Sequence, residues 1–199
     1  MRLKIFLVGN TVVDALYSVL SRTRQNHSFP DKGSPTCLFT LHRRENLGEP
    51  QERIFSAILD ILNDYPTSFF YISIHPNPPA SLPMKKAFEG HPRCRLISSL
   101  PYPDFIQLLN FCDIILTDSG GIQEEAPYLR KPYLVLREYT ERMEGIEQGL
   151  GYLVGSDPKK IQEAFARVYQ GNYHILDGQY PYGKGDASQK IVEILRKHL

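Results

Sequence analysis

Four short runs in this chain gather side chains able to bind anions or move protons. They are His42-Arg43-Arg44-Glu45-Asn46, His75-Pro76-Asn77, Asp118-Ser119-Gly120-Gly121 and Glu138-Tyr139-Thr140-Glu141-Arg142. Each follows a run of apolar residues. In the third, Ile114-Ile115-Leu116 gives way to Asp118-Ser119, passes two glycines and enters a stretch that reads as a helix. That is the carboxyl end of a strand feeding a helix N-terminus, where unpaired N–H groups and the positive end of the helix dipole favour an anion. Glycines let the backbone approach a phosphate closely, and Ser119 can add a hydroxyl. Arg43 and Arg44 have the fork geometry that suits phosphate or carboxylate, although a nearby glutamate is the commoner partner. His42 and His75 can each be a proton carrier or an ordinary hydrogen-bonding residue.

Glu124 and Glu125 lie one turn into the same helix. A carboxylate there either complements the helix dipole, worth under ~1 kcal/mol, or accepts both hydroxyls of a ribose. Adjacent helical residues diverge by about 100°, so the two cannot both face a ligand. Other chemistries lack their signatures. There is no Gly-x-x-x-x-Gly-Lys-Ser/Thr and no Gly-x-Gly-x-x-Gly after a strand. No Gly-x-Ser-x-Gly elbow is present, and no His/Cys/carboxylate cluster has metal-ligand spacing. No metal and no cofactor are therefore expected.

These clusters need a scaffold that brings strand ends together. Residues 36–41, 69–74, 95–97, 113–117, 133–136 and 151–154 read as strands, with helices between them. Pro50 opens the first of those helices, followed by an apolar stripe of Ile54, Phe55, Ile58, Leu59 and Leu62. Further helices are expected over 82–88 and 104–110. Pro127 should kink or end the helix behind the glycines. Asp157, Pro158 and Gly171 bracket a well-marked helix, and Ile191, Ile194 and Leu195 mark a final one. Strands alternating with helices on short connections predict an α/β fold, a Rossmann-like doubly wound parallel sheet. In such a sheet ligands bind at the carboxyl edge, where the four clusters would converge.

At the front, residues 3–8 read as a strand, Thr11 as a helix cap and residues 12–20 as a helix. Residues 21–35 are a polar connector, so residues 1–35 are expected to be a lead-in and residues 36–199 the domain proper. The 199 residues suit one packed domain, and 42% apolar with 23% charged content places the chain among ordinary globular proteins. Lys and Arg total 23 against 22 acidic residues, which gives no bulk attraction for nucleic acid or an anionic membrane. Cys37, Cys94 and Cys112 are widely spaced in or beside apolar segments, as in reduced cytosolic proteins. No stretch approaches the ~18 apolar residues of a membrane span, and Asp14 interrupts any signal-peptide reading of the N-terminus. A cytoplasmic location is expected.

Read together, the clusters resemble the non-hydrolysing UDP-N-acetylglucosamine 2-epimerases. The resemblance rests on residues 40–46 (TLHRREN), His75-Pro76-Asn77-Pro78, residues 117–127 (TDSGGIQEEAP) and Thr140-Glu141-Arg142 in this order. Residues 9–16 (GNTVVDAL) and the Tyr182-Gly183 loop fit as well. It covers essentially the whole chain but only the C-terminal half of such an enzyme. It implies the C-terminal domain of a glycosyltransferase-B-type arrangement, in which two Rossmann-like domains face each other across a cleft. The implied reaction interconverts UDP-GlcNAc and UDP-ManNAc without a nicotinamide cofactor, by elimination of UDP to a 2-acetamidoglucal and re-addition. By position, Ser119, Gly120 and Gly121 would hold the diphosphate, Glu125 the ribose hydroxyls, and Arg142 would reach toward the nucleotide. His42 would be catalytic beside the departing UDP oxygen. Arg43 and His75 match positions that contact a second, activating UDP-GlcNAc in bacterial members.

The family's acid–base carboxylates lie on the N-terminal domain, which this sequence does not match. Met143 replaces the usual proline after Thr-Glu-Arg, and Lys184 stands where an aspartate is usual. Two readings result: the nucleotide-binding half of an epimerase that needs a separate N-terminal half, or a stand-alone UDP-sugar-binding module. The donor domain of a glycosyltransferase shares the fold but not these motifs. Ile191, Ile194 and Leu195, on a helix that in the family crosses back to the first domain, are expected to pack on the first helix (Val12, Leu16, Val19) or to be buried in an oligomer. The expected protein partner is an N-terminal-half protein or a second copy.

Overall fold

The computed structural model describes residues 4–22, 29, 33–173, 178 and 180–198. Six parallel strands form its centre: β1 (Thr36–Thr40), β2 (Phe69–Ser73), β3 (Cys94–Ile97), β4 (Ile114–Thr117), β5 (Tyr133–Val135) and β6 (Gly151–Leu153). Their order across the sheet is β3-β2-β1-β4-β5-β6. All five pairings are parallel. The chain builds outward from β1 through β2 to β3, then returns to the other side of β1 with β4. That reversal makes β1/β4 the topological switch point, the place where a Rossmann-like sheet opens a crevice for ligands.

The strands are short apolar runs because both faces of the sheet are covered. Cys37, Phe39, Ile114, Leu116 and Leu134 face one core. There they meet Ile54, Phe55, Ile58 and Ile61 of α2 (Glu49–Asp64), Met84 and Phe88 of α3 (Pro78–Phe88), and Ile161 and Phe165 of α7 (Pro158–Tyr169). Leu38, Ile115, Tyr133 and Val135 alternate to the other face. Their partners are Leu16 of α1 (Thr11–Arg22), Ile106, Leu108 and Leu109 of α4 (Tyr102–Phe111), and Ile122 of α5 (Gly120–Glu125). Each such side chain contributes about 1.5–3 kcal/mol by leaving water. Two further helices, α6 (Met143–Glu147) and α8 (Ala187–His198), complete the described fold.

Helix boundaries follow local chemistry. Asp157 caps α7 by accepting from Lys159 N at 2.9 Å and Lys160 N at 3.3 Å, and Gly171 follows with φ +75°. Pro127 ends α5 at Glu125, and the chain continues as a 3-10 turn, Ala126–Leu129. α3 and α4 start earlier than the sequence suggests, because Pro78 and Pro103 fit the first turn, where no N–H is needed.

Two expectations about the front of the chain change. Residues 4–8 form no strand, since among the described residues no neighbouring strand lies beside them to share backbone hydrogen bonds; Ile5 and Leu7 are 94% and 101% exposed. Leu3 and most of the connector 21–35 lie outside the described residues. Asn10 rather than Thr11 caps α1, its Oδ1 accepting from Val12 N at 3.0 Å. α8 is docked at its start by Asp14, which accepts from Ala187 N and Ser188 N, but Ile191 and Leu195 remain exposed. Cys37, Cys94 and Cys112 are all unpaired.

Candidate functional site

At the switch point the last residues of β1 and β4, Thr40 and Thr117, share a hydroxyl–hydroxyl hydrogen bond of 2.7 Å. One residue on, the wholly buried Asp118 accepts from His42 N at 3.0 Å, Arg43 N at 2.8 Å and Asn46 Nδ2 at 3.0 Å. His42 Nδ1 lies 3.1 Å from Asp118 Oδ1. Burial works to raise this carboxyl, but His42 and the N–H donors of Arg43 and Asn46 pull it below its ordinary value. Asn46 Nδ2 also donates to Leu136 O at 2.9 Å. Asp118 thus ties the loop after β4 to the loop after β1, and Asn46 extends the tie to the loop after β5.

A second relay holds the loop after β5. Gln123 Nε2 donates to Ser119 O, while its Oε1 accepts from Thr140 Oγ1 at 2.8 Å. Arg142 N in turn donates to Thr140 Oγ1 at 3.2 Å. The Arg142 side chain is then brought back over α5, where Nε donates to Glu124 Oε1 at 2.8 Å and Nη1 pairs with Glu141. Burial works against its charge, but Glu124 and Glu141 stabilise it, so its pKa is raised. The guanidinium lies so near the start of α5 that a Cβ on Gly120 would come within 2.6 Å of Arg142 Cζ. Arg137 closes the ring of loops, with Nε 3.1 Å from Glu45 and Nη1 donating to Glu141 at 3.0 Å.

The two glutamates of α5 diverge as adjacent helical residues must. Glu124 faces Arg142, whereas the buried Glu125 faces α4, accepting from Tyr102 OH at 2.8 Å. Burial raises the Glu125 carboxyl above its ordinary value; Tyr102 partly offsets this and the charge of Glu124 adds to it.

The sequence candidates therefore fall as follows. Ser119, Gly120 and Gly121 form the turn into α5, with Ser119 N donating to Thr117 Oγ1 and no capping bond made by the Ser119 side chain. Arg142 lies over Gly120. His42 and Arg43 lie beside Ser119 through Asp118, and the His75 ring stacks on His42 with centroids 5.4 Å apart and planes 14° apart. Glu125 stands at the far end of α5. Asp118, Asn46 and Thr140 were named only as members of their clusters, Glu124 was weighed against Glu125 without a partner, and Gln123 and Tyr102 were given no role. Asp118 carried a readable signal, since a carboxylate closing an apolar strand must find partners. Tyr102 carried none, because only the packing of α4 brings it to Glu125. Among the described residues, no three His, Cys, Asp or Glu side chains gather as metal ligands. Nor is any helix among them long and apolar enough to cross a membrane.

Residues 2–196 match the sequence profile of the UDP-N-acetylglucosamine 2-epimerase family. The chain belongs to this family. It is 39% identical over 208 residues to the UDP-N-acetylglucosamine 2-epimerase of Yersinia pestis, covering 98% of this chain and 55% of that one. The crystal structure of the Neisseria meningitidis UDP-GlcNAc 2-epimerase bound to UDP-GlcNAc superposes with a TM-score of 0.89 at 40% identity, over 98% of this chain and 56% of that one. The Methanocaldococcus jannaschii enzyme in complex with UDP-GlcNAc and UDP gives 0.86 at 34% identity, over 98% and 55%. This epimerase-family chain thus spans about half the length of the relatives it matches.

The motifs at the two ends of the chain meet in the fold. Asn10 N donates to Tyr182 O at 2.7 Å, and a Cβ on Gly183 would lie 3.0 Å from Gly9 Cα. Both glycines have positive φ, +96° and +102°, so this contact needs residues without side chains. The family departures are also placed. Met143 begins α6, Lys184 Nζ sits 5.8 Å from the centre of the Tyr180 ring, and Asp186 pairs with Lys190 at 2.8 Å.

Proposed function

We propose that these 199 residues form the nucleotide-binding half of a UDP-N-acetylglucosamine 2-epimerase. Residues 1–35 are its lead-in and residues 36–199 its UDP-binding domain. They bind UDP-GlcNAc or UDP-ManNAc in the crevice between the carboxyl ends of β1 and β4, and epimerise it only with a complementary N-terminal half. The observation that carries this reading is the spacing of charges along α5. The Arg142 guanidinium lies over the first residue of α5 and the buried Glu125 carboxylate closes its other end, five residues or about 7.5 Å of helix rise away. That matches a diphosphate joined to a ribose. Ser119, Gly120, Gly121 and Arg142 receive the diphosphate, and Glu125 the ribose hydroxyls.

His42 stands beside the diphosphate seat and assists departure of UDP, by charge or by proton transfer, as the C1–O bond breaks. The base that takes the C2 proton comes from the complementary half. Arg43 and His75 form the wall on which a second UDP-GlcNAc acts as effector. The exposed Ile5, Leu7, Val192 and Leu195 support an unfilled contact, and Phe6 links the two segments through its ring contact with His198. The N-terminal half covers this surface; failing that, a second copy does.

The alternative, a UDP-sugar-binding module without epimerase activity, is favoured by the coverage of only about half of each relative. Titration calorimetry with UDP tests the site common to both. Ser119→Ala combined with Glu125→Ala should weaken binding at least tenfold. Unchanged affinity in that double variant would show the site to be wrongly assigned.

A further inference from the structure

The stacked rings of His42 and His75 have different hydrogen-bond partners, and those partners fix where each ring carries its hydrogen. Asp118 offers His42 Nδ1 only an acceptor. Its carboxylate is wholly buried, already takes three N–H donors from the loop after β1, and is held below its ordinary pKa. An ionised carboxylate cannot donate, so Nδ1, at 3.1 Å, must carry a hydrogen. His75 is the opposite case. Its Nδ1 accepts the backbone N–H of Asn77 at 3.1 Å, so in the neutral ring the hydrogen sits on Nε2. His42 is about one-third exposed while Asp118 is enclosed, so the Nδ1 edge faces the protein and the opposite edge faces the crevice.

We infer that Asp118 is a positioning residue that locks His42 as the Nδ1–H tautomer, leaving Nε2 the only nitrogen of that ring that gains or loses a proton. His75, as the Nε2–H tautomer, packs flat against it and fixes the ring plane. Neutral imidazole free in water prefers the Nε2–H form, so His42 is held in its less favoured tautomer by a buried charge. This assignment deepens the nucleotide-sugar reading and rests on it for its consequence. The protonated ring hands its Nε2 hydrogen to the departing phosphate oxygen as the C1–O bond breaks, and Nε2 recovers that hydrogen when UDP re-adds. The ring need not turn between the two steps, because Asp118 keeps the Nδ1 hydrogen throughout.

The test needs no turnover. Two-bond ¹H–¹⁵N correlations of the imidazoles are recorded on the 199-residue chain where both rings are neutral, with peaks assigned by their loss in His42→Gln and His75→Gln. The expected pattern is Nδ1–H for His42 and Nε2–H for His75. An Nε2–H pattern for His42, or rapid averaging of its two nitrogens, overturns the assignment. Asp118→Asn is the second arm, because an amide can donate to Nδ1; His42 should move to the Nε2–H form. If that variant folds and His42 keeps the wild-type pattern, Asp118 does not set the tautomer. If it does not fold, the wild-type spectrum decides. UDP titration on the same sample separates the two levels. Absent UDP binding with the expected tautomers sinks the nucleotide reading alone, whereas UDP binding with His42 in the other tautomer sinks this inference alone.

Discussion

Gly120→Ala separates the ligand seat from the fold more cleanly than any loss of a side chain. Gly120 is buried at the start of α5 without a positive φ, so alanine suits its backbone and would if anything add up to ~1 kcal/mol of helix stability. Its Cβ, however, would lie 2.6 Å from Arg142 Cζ and 2.9 Å from Nε. Ordinary carbon contacts begin near ~3.5 Å, so the guanidinium must withdraw by roughly 1 Å. That move displaces a guanidinium that Glu124 now holds at 2.8 Å. Because the obstructed group is the end of a flexible side chain, the fold gives way cheaply while the ligand loses its cation. A charge-assisted hydrogen bond is worth about 1.5–3 kcal/mol, equivalent to a Kd roughly 10- to 100-fold weaker. Calorimetry with UDP beside a thermal melt reads both quantities. Arg142→Ala provides the second edge of a double-mutant cycle, in which Gly120→Ala should cost nothing further. Wild-type UDP affinity in Gly120→Ala, or an undiminished loss on the Arg142→Ala background, would refute the reasoning. Gly121→Ala is the control: its Cβ would meet only Ser119 Oγ at 4.0 Å, so any loss there reports the ligand's own approach.

Since burial raises the Glu125 carboxyl, UDP affinity should begin to fall on acidification at a pH above the ordinary carboxylate value of ~4.3. Tyr102→Phe removes the one bond that offsets burial, so it should shift that decline further upward and cost ~1 kcal/mol of affinity; titrations at stepped pH with an unshifted decline would contradict both. Gly151→Ala should lower the melting temperature without weakening UDP binding, because a Cβ there would run into the Tyr133 ring, including Cδ2 at 2.8 Å. Overpacking of that kind costs about 1–3 kcal/mol, and an unshifted melt would count against the packing described for β5 and β6. Asp14→Ala should cost ~1 kcal/mol by uncapping α8, and amide exchange across residues 187–198 should quicken; unchanged exchange there would show that Asp14 does not hold the helix.

What the sequence showed depended on whether the cause was local. α7 was legible because Asp157, Pro158, its apolar stripe and Gly171 are all signals within the helix or at its ends. The parallel sheet was legible for a similar reason, since strands covered on both faces must be apolar throughout. Residues 4–8 are a mostly apolar run like β1, yet a strand also needs a neighbour, and none lies beside them among the described residues. α6 went unread because five residues carry too little periodicity. In the site, the clustering of His42, Ser119 and Arg142 at strand ends followed from topology. The hub did not: Asp118 takes its donors from residues 72 to 76 positions earlier in the chain. Glu125 finds Tyr102 across 23 residues, through the packing of α4 alone. That adjacent carboxylates on α5 diverge was predictable; that Glu124 serves Arg142 was not.

The most direct measurement is a single NMR experiment on the 199-residue chain with UDP-GlcNAc in deuterated water. The expected result is saturation transfer from protein to the uridine and ribose protons, with the C2 proton retained and no UDP-ManNAc formed. Deuterium should enter C2, and UDP-ManNAc accumulate, only after adding a protein that supplies the other half of the relatives' length. Absence of transfer to the uridine would contradict nucleotide binding. Deuterium at C2 with the chain alone would contradict the need for a complementary half.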